Sequence, residues 1–111
     1  MKFRRAAVVL TALLSSIWVG CFRQDIKTLV VTVPQMKSPE CSKVIQDAMS
    51  RIEGIYSAEP DLAARTMAVT YDSKKLSIKN VEYLITGLGF NANGEAGNPD
   101  ARKNLPAGCR D

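Results

Sequence analysis

Met36, Ser38 and Cys41 place a thioether, a hydroxyl and a thiol within the run Met36-Lys37-Ser38-Pro39-Glu40-Cys41. A second thiol, Cys109, stands near the C-terminus, and the chain has no histidine. Polarisable sulfur favours soft, late or low-charge metal ions, whereas a hydroxyl is a hard and reluctant ligand. Any transition-metal site here therefore rests on sulfur, helped at most by oxygen. The absence of histidine also leaves Cys41 without the usual base for nucleophilic work. The acids are scattered, no C-x-x-C pair occurs, and no glycine-rich segment follows a strand as a phosphate cradle requires. An enzyme is not expected.

What the thiols do depends on their compartment. Residues 1–20 carry Lys2, Arg4 and Arg5, then an apolar run from Ala6 to Val19. A basic start followed by such a run is the pattern of a secretory signal, and it is short for a spanning helix. Trp18-Val19-Gly20-Cys21 resembles the lipobox of bacterial lipoproteins, which makes Cys21 the candidate lipidation site. A plain cleaved signal or an uncleaved anchor is the alternative. The expected place is the periplasm or cell envelope, with a lipid anchor holding the protein to a membrane. Outside the cytoplasm thiols tend to oxidise, and with Cys21 lipidated only Cys41 and Cys109 remain to pair. A disulfide between them competes with any metal site, and closing that loop would stabilise the fold by about 4 kcal/mol.

The whole chain of 111 residues has a formal charge of +4, with fifteen basic and eleven acidic side chains. Three of the fifteen lie in residues 1–20, which hold no acid, so the remainder carries only +1. No basic stripe or aromatic interleaving is left to mark a nucleic-acid surface, and none is expected as a partner.

Lys27 to Val33 alternates, with Leu29, Val31 and Val33 on one face, and reads as a strand. Ser38-Pro39-Glu40 is a helix start with serine as N-cap, proline at the first position and an acid in the first turn. Val44, Ile45, Ala48, Met49 and Ile52 then recur at helical spacing as far as Gly54. Ile55 to Leu62 is a weaker strand, confined to a sheet edge by Pro60. Thr66 to Tyr71 alternates again. Ser77 caps a second helix with Ile78, Val81, Leu84, Ile85 and Leu88 on its apolar face, ending at Gly89. Phe90 to Asn93 is a short last strand. This order predicts an α+β fold, a ferredoxin-like βαββαβ sandwich with two helices on a four-stranded antiparallel sheet. The expected division is a signal at 1–20, a tether at 21–26, the domain at 27–93 and a C-terminal extension at 94–111. The extension is polar enough to be disordered, with a helical turn over Asp100 to Leu105. Leu105 and Cys109 are its only candidates for docking.

Met36 before the loop, Cys41 opening the helix, Gly54-Ile55, Val69-Thr70-Tyr71-Asp72 and Gly89-Phe90 stand in register over about residues 27–93. Together they resemble the heavy-metal-associated domain family, shared by copper chaperones, mercury-binding periplasmic proteins and the N-terminal modules of metal-pumping ATPases. The resemblance implies a loop of the form M-x-C-x-x-C, in which two thiolates hold one soft ion. Here Ser38 stands where the first cysteine is expected, a change that weakens soft-metal binding by several orders of magnitude. Cys41 keeps its place in the first helical turn, where the dipole and free N–H groups favour thiolate.

Some secreted members carry a cysteine-containing extension, and Leu105-Pro106-Ala107-Gly108-Cys109 resembles it. On that resemblance Cys41 and Cys109 form a two-sulfur site, with the Met36 thioether and Ser38 hydroxyl as weaker candidate ligands. The implied cargo is Cu(I) first, with Hg(II) or Zn(II) as alternatives. It would pass by ligand exchange through an exposed thiolate to a metal-transporting membrane protein or a soluble donor or acceptor. Against this stand the structural readings: Ser38 as helix cap, Met36 as core packing, and a metal-free interaction module stapled by a Cys41–Cys109 disulfide.

Overall fold

The structure is a computed structural model that describes residues 25–111. The signal at 1–20, the lipidation candidate Cys21 and most of the tether lie outside the described residues. The elements are β1 (Ile26–Thr32), α1 (Pro39–Met49), β2 (Ile55–Asp61), β3 (Thr66–Asp72), α2 (Ile78–Thr86) and a short α3 (Pro99–Arg102), followed by a 3-10 turn over Ala107–Cys109. The sheet is antiparallel with order β1-β3-β2, so Pro60 does sit on an edge strand. Among the described residues no helix is long and apolar enough to cross a membrane.

Period-two patterning decides which face is covered. Leu29 lies opposite Val69 and Val31 opposite Met67. Val31, Val33, Met67, Val69 and Tyr71 are buried against Ile45 and Met49 of α1 and Val81 and Ile85 of α2. Each such aliphatic side chain contributes about 1.5–3 kcal/mol by leaving water. The opposite face of the sheet stays wet, with Ile26 and Val30 both more than half exposed.

Both helix starts are built as expected. The Ser38 side chain accepts from the Cys41 amide, and Ser77 closes a reciprocal capping box with Asn80. The ends and faces differ. The first helix stops at Met49, and Ile52 belongs to the turn that Gly54 completes at φ +96°. Ile78 does not join the apolar face of α2; it is 53 % exposed at the helix mouth. The second helix ends at Thr86, before Gly89.

The largest correction concerns the fourth strand. Among the described residues the sheet has three strands, and Ala92 makes only an isolated bridge to Glu95. Asn93 and Gly94 both have positive φ, +49° and +83°, the geometry of a two-residue reversal favoured by an Asn-Gly pair. The chain therefore turns back before a ladder with β1 can grow. Asn93 itself still touches β1: its amide donates to the Thr32 carbonyl (2.9 Å) and its Oδ1 accepts from the Thr32 amide (2.8 Å).

After the reversal, residues 94–111 lie against the domain. Asn98 caps α3, which starts at Pro99 and is a shorter, earlier turn than Asp100 to Leu105. Leu105 is 5 % and Cys109 1 % exposed, and both join the core. The approach of backbone to backbone here is close. A Cβ on Gly97 would fall on the carbonyl of Gly89, and one on Gly89, at φ +107°, would lie 2.6 Å from the Arg102 backbone.

Beneath the reversal Glu82 is buried, accepting from Asn93 Nδ2 at 2.9 Å and pairing with Lys79 at 3.3 Å. The Asn93 hydrogen bond, followed by Lys79, holds its carboxyl below the usual 4.5 despite the opposing effect of burial. A lowered folded pKa means stability that is present above the ordinary value and lost as pH falls through the lowered one. Urea unfolding at a series of pH values should show this acid-side loss, and Glu82→Gln should flatten it. In the same assay Gly97→Ala should cost about 1–3 kcal/mol by overpacking. Gly108→Ala, where an added Cβ meets nothing within 4 Å, should stay within about 0.5 kcal/mol.

Candidate metal centre

The site is assembled from the first turn of α1 and the last turn of the chain. Ser38, extended at φ −142°, stops the incoming loop, and Pro39 is pre-set for the first helical position. Cys41 is thereby the third helical residue, and its amide donates to Ser38 Oγ at 3.4 Å. Ser38 Oγ also lies 3.3 Å from Cys41 Sγ. The hydroxyl is thus occupied as a cap that touches the sulfur.

Cys109 arrives from the other side. The 3-10 turn over Ala107–Cys109 is closed by the Cys109 amide donating to the Pro106 carbonyl at 2.8 Å. Arg110 Nε donates to the Leu105 carbonyl at 2.9 Å, which ties the turn shut. Cys41 and Cys109 are joined as a disulfide, with Cα atoms 5.6 Å apart across 68 residues of sequence. The Gly108 carbonyl lies 3.9 Å from Cys41 Sγ. Reduction would give that sulfur a proton to direct toward it.

Neither sulfur is open to solvent. Cys41 is fully buried and Cys109 is 1 % exposed, so the exposed thiolate expected at Cys41 is not present in this state. Met36 is also fully buried and belongs to the same core cluster as both cysteines. Among the described residues no group of three or more His, Cys, Asp and Glu side chains gathers to hold an ion. The two sulfurs that meet here are bonded to each other.

Sequence reasoning missed the residues that hold the tail. Gln35, 4 % exposed, accepts from the Asn91 amide at 2.9 Å. Asn91 Oδ1 accepts from the Gly97 amide (2.9 Å) and from Arg102 (2.7 Å). The one usable signal was Asn98-Pro99-Asp100, which repeats the cap logic of Ser38-Pro39-Glu40.

Comparison with known proteins agrees with this architecture. A mercuric transport protein periplasmic component from Alcaligenes sp is 27% identical over 103 residues, covering 93% of this chain and 99% of its own length. The copper chaperone CopZ of Staphylococcus haemolyticus is 28% identical over 61 residues, covering 55% of this chain and 90% of that protein. Among solved structures, oxidised MerP from Ralstonia metallidurans CH34 superposes with a TM-score of 0.56 at 24% identity, covering 60% of this chain and 93% of that one. That last likeness shows the fold alone. The family model of the heavy-metal-associated domain matches residues 30–91, more than half of the chain, and the chain belongs to that family.

Proposed function

We propose that this protein binds and passes on a soft metal ion through Cys41 and Cys109, and that the disulfide is the closed, oxidised state of that site. The observation that carries the reading is the meeting of the two sulfurs at the start of α1, although 68 residues separate them in sequence. A dithiol reductant of the envelope converts the disulfide to two thiols, giving up two electrons and two protons and closing to a disulfide itself. An incoming ion then displaces the two protons and takes both thiolates, the donor type that soft ions prefer. The helix N-terminus favours the negative sulfur at Cys41.

The relative that spans nearly the whole chain is named for mercuric transport, so Hg(II) ranks ahead of Cu(I) as cargo. Its name also supports a periplasmic setting and a part in metal transport, and the proposed recipient is a metal-transporting membrane protein. Anchoring through a lipid on Cys21 is part of the same proposal and rests on Trp18-Val19-Gly20-Cys21 alone.

A second reading is favoured by the burial of both sulfurs. The pair would then be a permanent staple in an envelope interaction module that keeps the fold without the metal. The chain-entropy gain of about 4 kcal/mol would be its purpose.

The two readings part on thiol counting and titration. Protein reduced under nitrogen and titrated with Hg(II) or Cu(I) against a competing chelator should bind one ion per chain. That binding should be lost in Cys41→Ser and in Cys109→Ser alike, while Met36→Leu should retain it. Feeble binding after reduction, unchanged by either cysteine substitution, overturns the metal reading and leaves the staple.

A further inference from the structure

Arg102 touches no sulfur, yet it holds the segment that delivers one. Its Nε donates to the Gly89 carbonyl at 3.0 Å and its Nη2 to Asn91 Oδ1 at 2.7 Å. The same oxygen takes the Gly97 amide, and the Asn91 amide is held in turn by Gln35 Oε1, in the loop that leads into α1. A fork of charged donors on two fixed acceptors is stronger and more directional than neutral pairs. Between Arg102 and Cys109 the chain is fixed again by buried Leu105 and by the Arg110 clasp on its carbonyl. None of these hydrogen bonds is made by a sulfur atom.

We infer that Arg102 is a positioning residue for the sulfur pair. Acting through the Gln35–Asn91–Arg102 latch, it keeps Cys109 facing Cys41 when the disulfide is reduced, so the dithiol is pre-formed. The inference rests on the reading of this pair as the metal site and extends it to residues outside the site. Its physical content is an effective concentration: a latched Cys109 meets Cys41 far more often than one on a free tail.

The test uses glutathione redox buffers and no metal. In each conversion the protein disulfide takes two electrons and two protons from two glutathione thiols, giving a protein dithiol and one glutathione disulfide. The equilibrium constant reports the effective concentration of one protein thiol toward the other. Arg102→Ala should make the disulfide about tenfold easier to reduce, a shift of about 30 mV. Arg102→Lys, which keeps the charge but loses the fork, should fall between. Lys103→Ala should match the parent, since among the described residues Lys103 pairs with Asp100 alone, at 3.8 Å on the exposed surface.

Circular dichroism of the reduced variants shows which remain folded; in those a merely structural role leaves this constant unmoved, because the lost stability cancels between the two folded forms. Should Arg102→Ala fail to fold, Arg102→Lys decides the matter. Constants within twofold of the parent for the variants that fold overturn the inference. The metal titration stands apart: its failure with the redox shift intact sinks the metal reading and leaves the role of Arg102 toward Cys109 in place.

Discussion

Gly97 lies against the carbonyl of Gly89 with no room for a side chain, and that contact sends the rest of the chain toward α1 instead of along the sheet. Everything distinctive about the sulfur pair follows from it. A tail that continued from Ala92 beside β1 would carry Cys109 along the sheet edge. Because Asn93-Gly94 reverses the chain and Gly97 nests on Gly89, α3 begins beside the exit of α2, where the Asn98 amide donates to the Thr86 carbonyl. Leu105 then has an apolar surface to enter, and Cys109 is carried to the mouth of α1.

Local order was legible wherever short-range chemistry dominates. Thr66–Asp72 was readable as a strand because alternate residues are apolar and the alternate face is half wet. The starts of α1 and α2 were readable because serine caps act within three residues of themselves. The ends were harder. Ile52 and Leu88 continue the helical period past Met49 and Thr86: Leu88 still packs against the core from the turn after its helix, and Ile52 is half-buried in the turn before Gly54. The false fourth strand has a specific cause. Phe90 and Ala92 alternate as strand residues do, but Asn93-Gly94 is a reversal signal strong enough to end pairing after one bridge.

The site was half legible. Cys41 at a capped helix start and Cys109 in the tail could be named from type and spacing, and Ser38 from its cap chemistry. What joins them could not. The Gln35–Asn91 hydrogen bond spans 56 residues and has no spacing rule behind it. Arg102 looks like any solvated arginine until the fold brings two acceptors under its fork. Long-range polar contacts of this kind depend on the finished backbone, so they become visible only after the chain has folded.

The direction of β1 has a consequence for orientation. This strand runs from Ile26 to Thr32 and hands the chain to the loop that opens α1. At about 3.3 Å per residue its two ends are roughly 20 Å apart. Ile26 thus lies at one end of the sheet, while the loop into α1, with Cys41 in its first helical turn, lies toward the other. A partner that reads the Cys41–Cys109 corner would therefore meet the domain at the end remote from Ile26, with both sulfurs still beneath its surface.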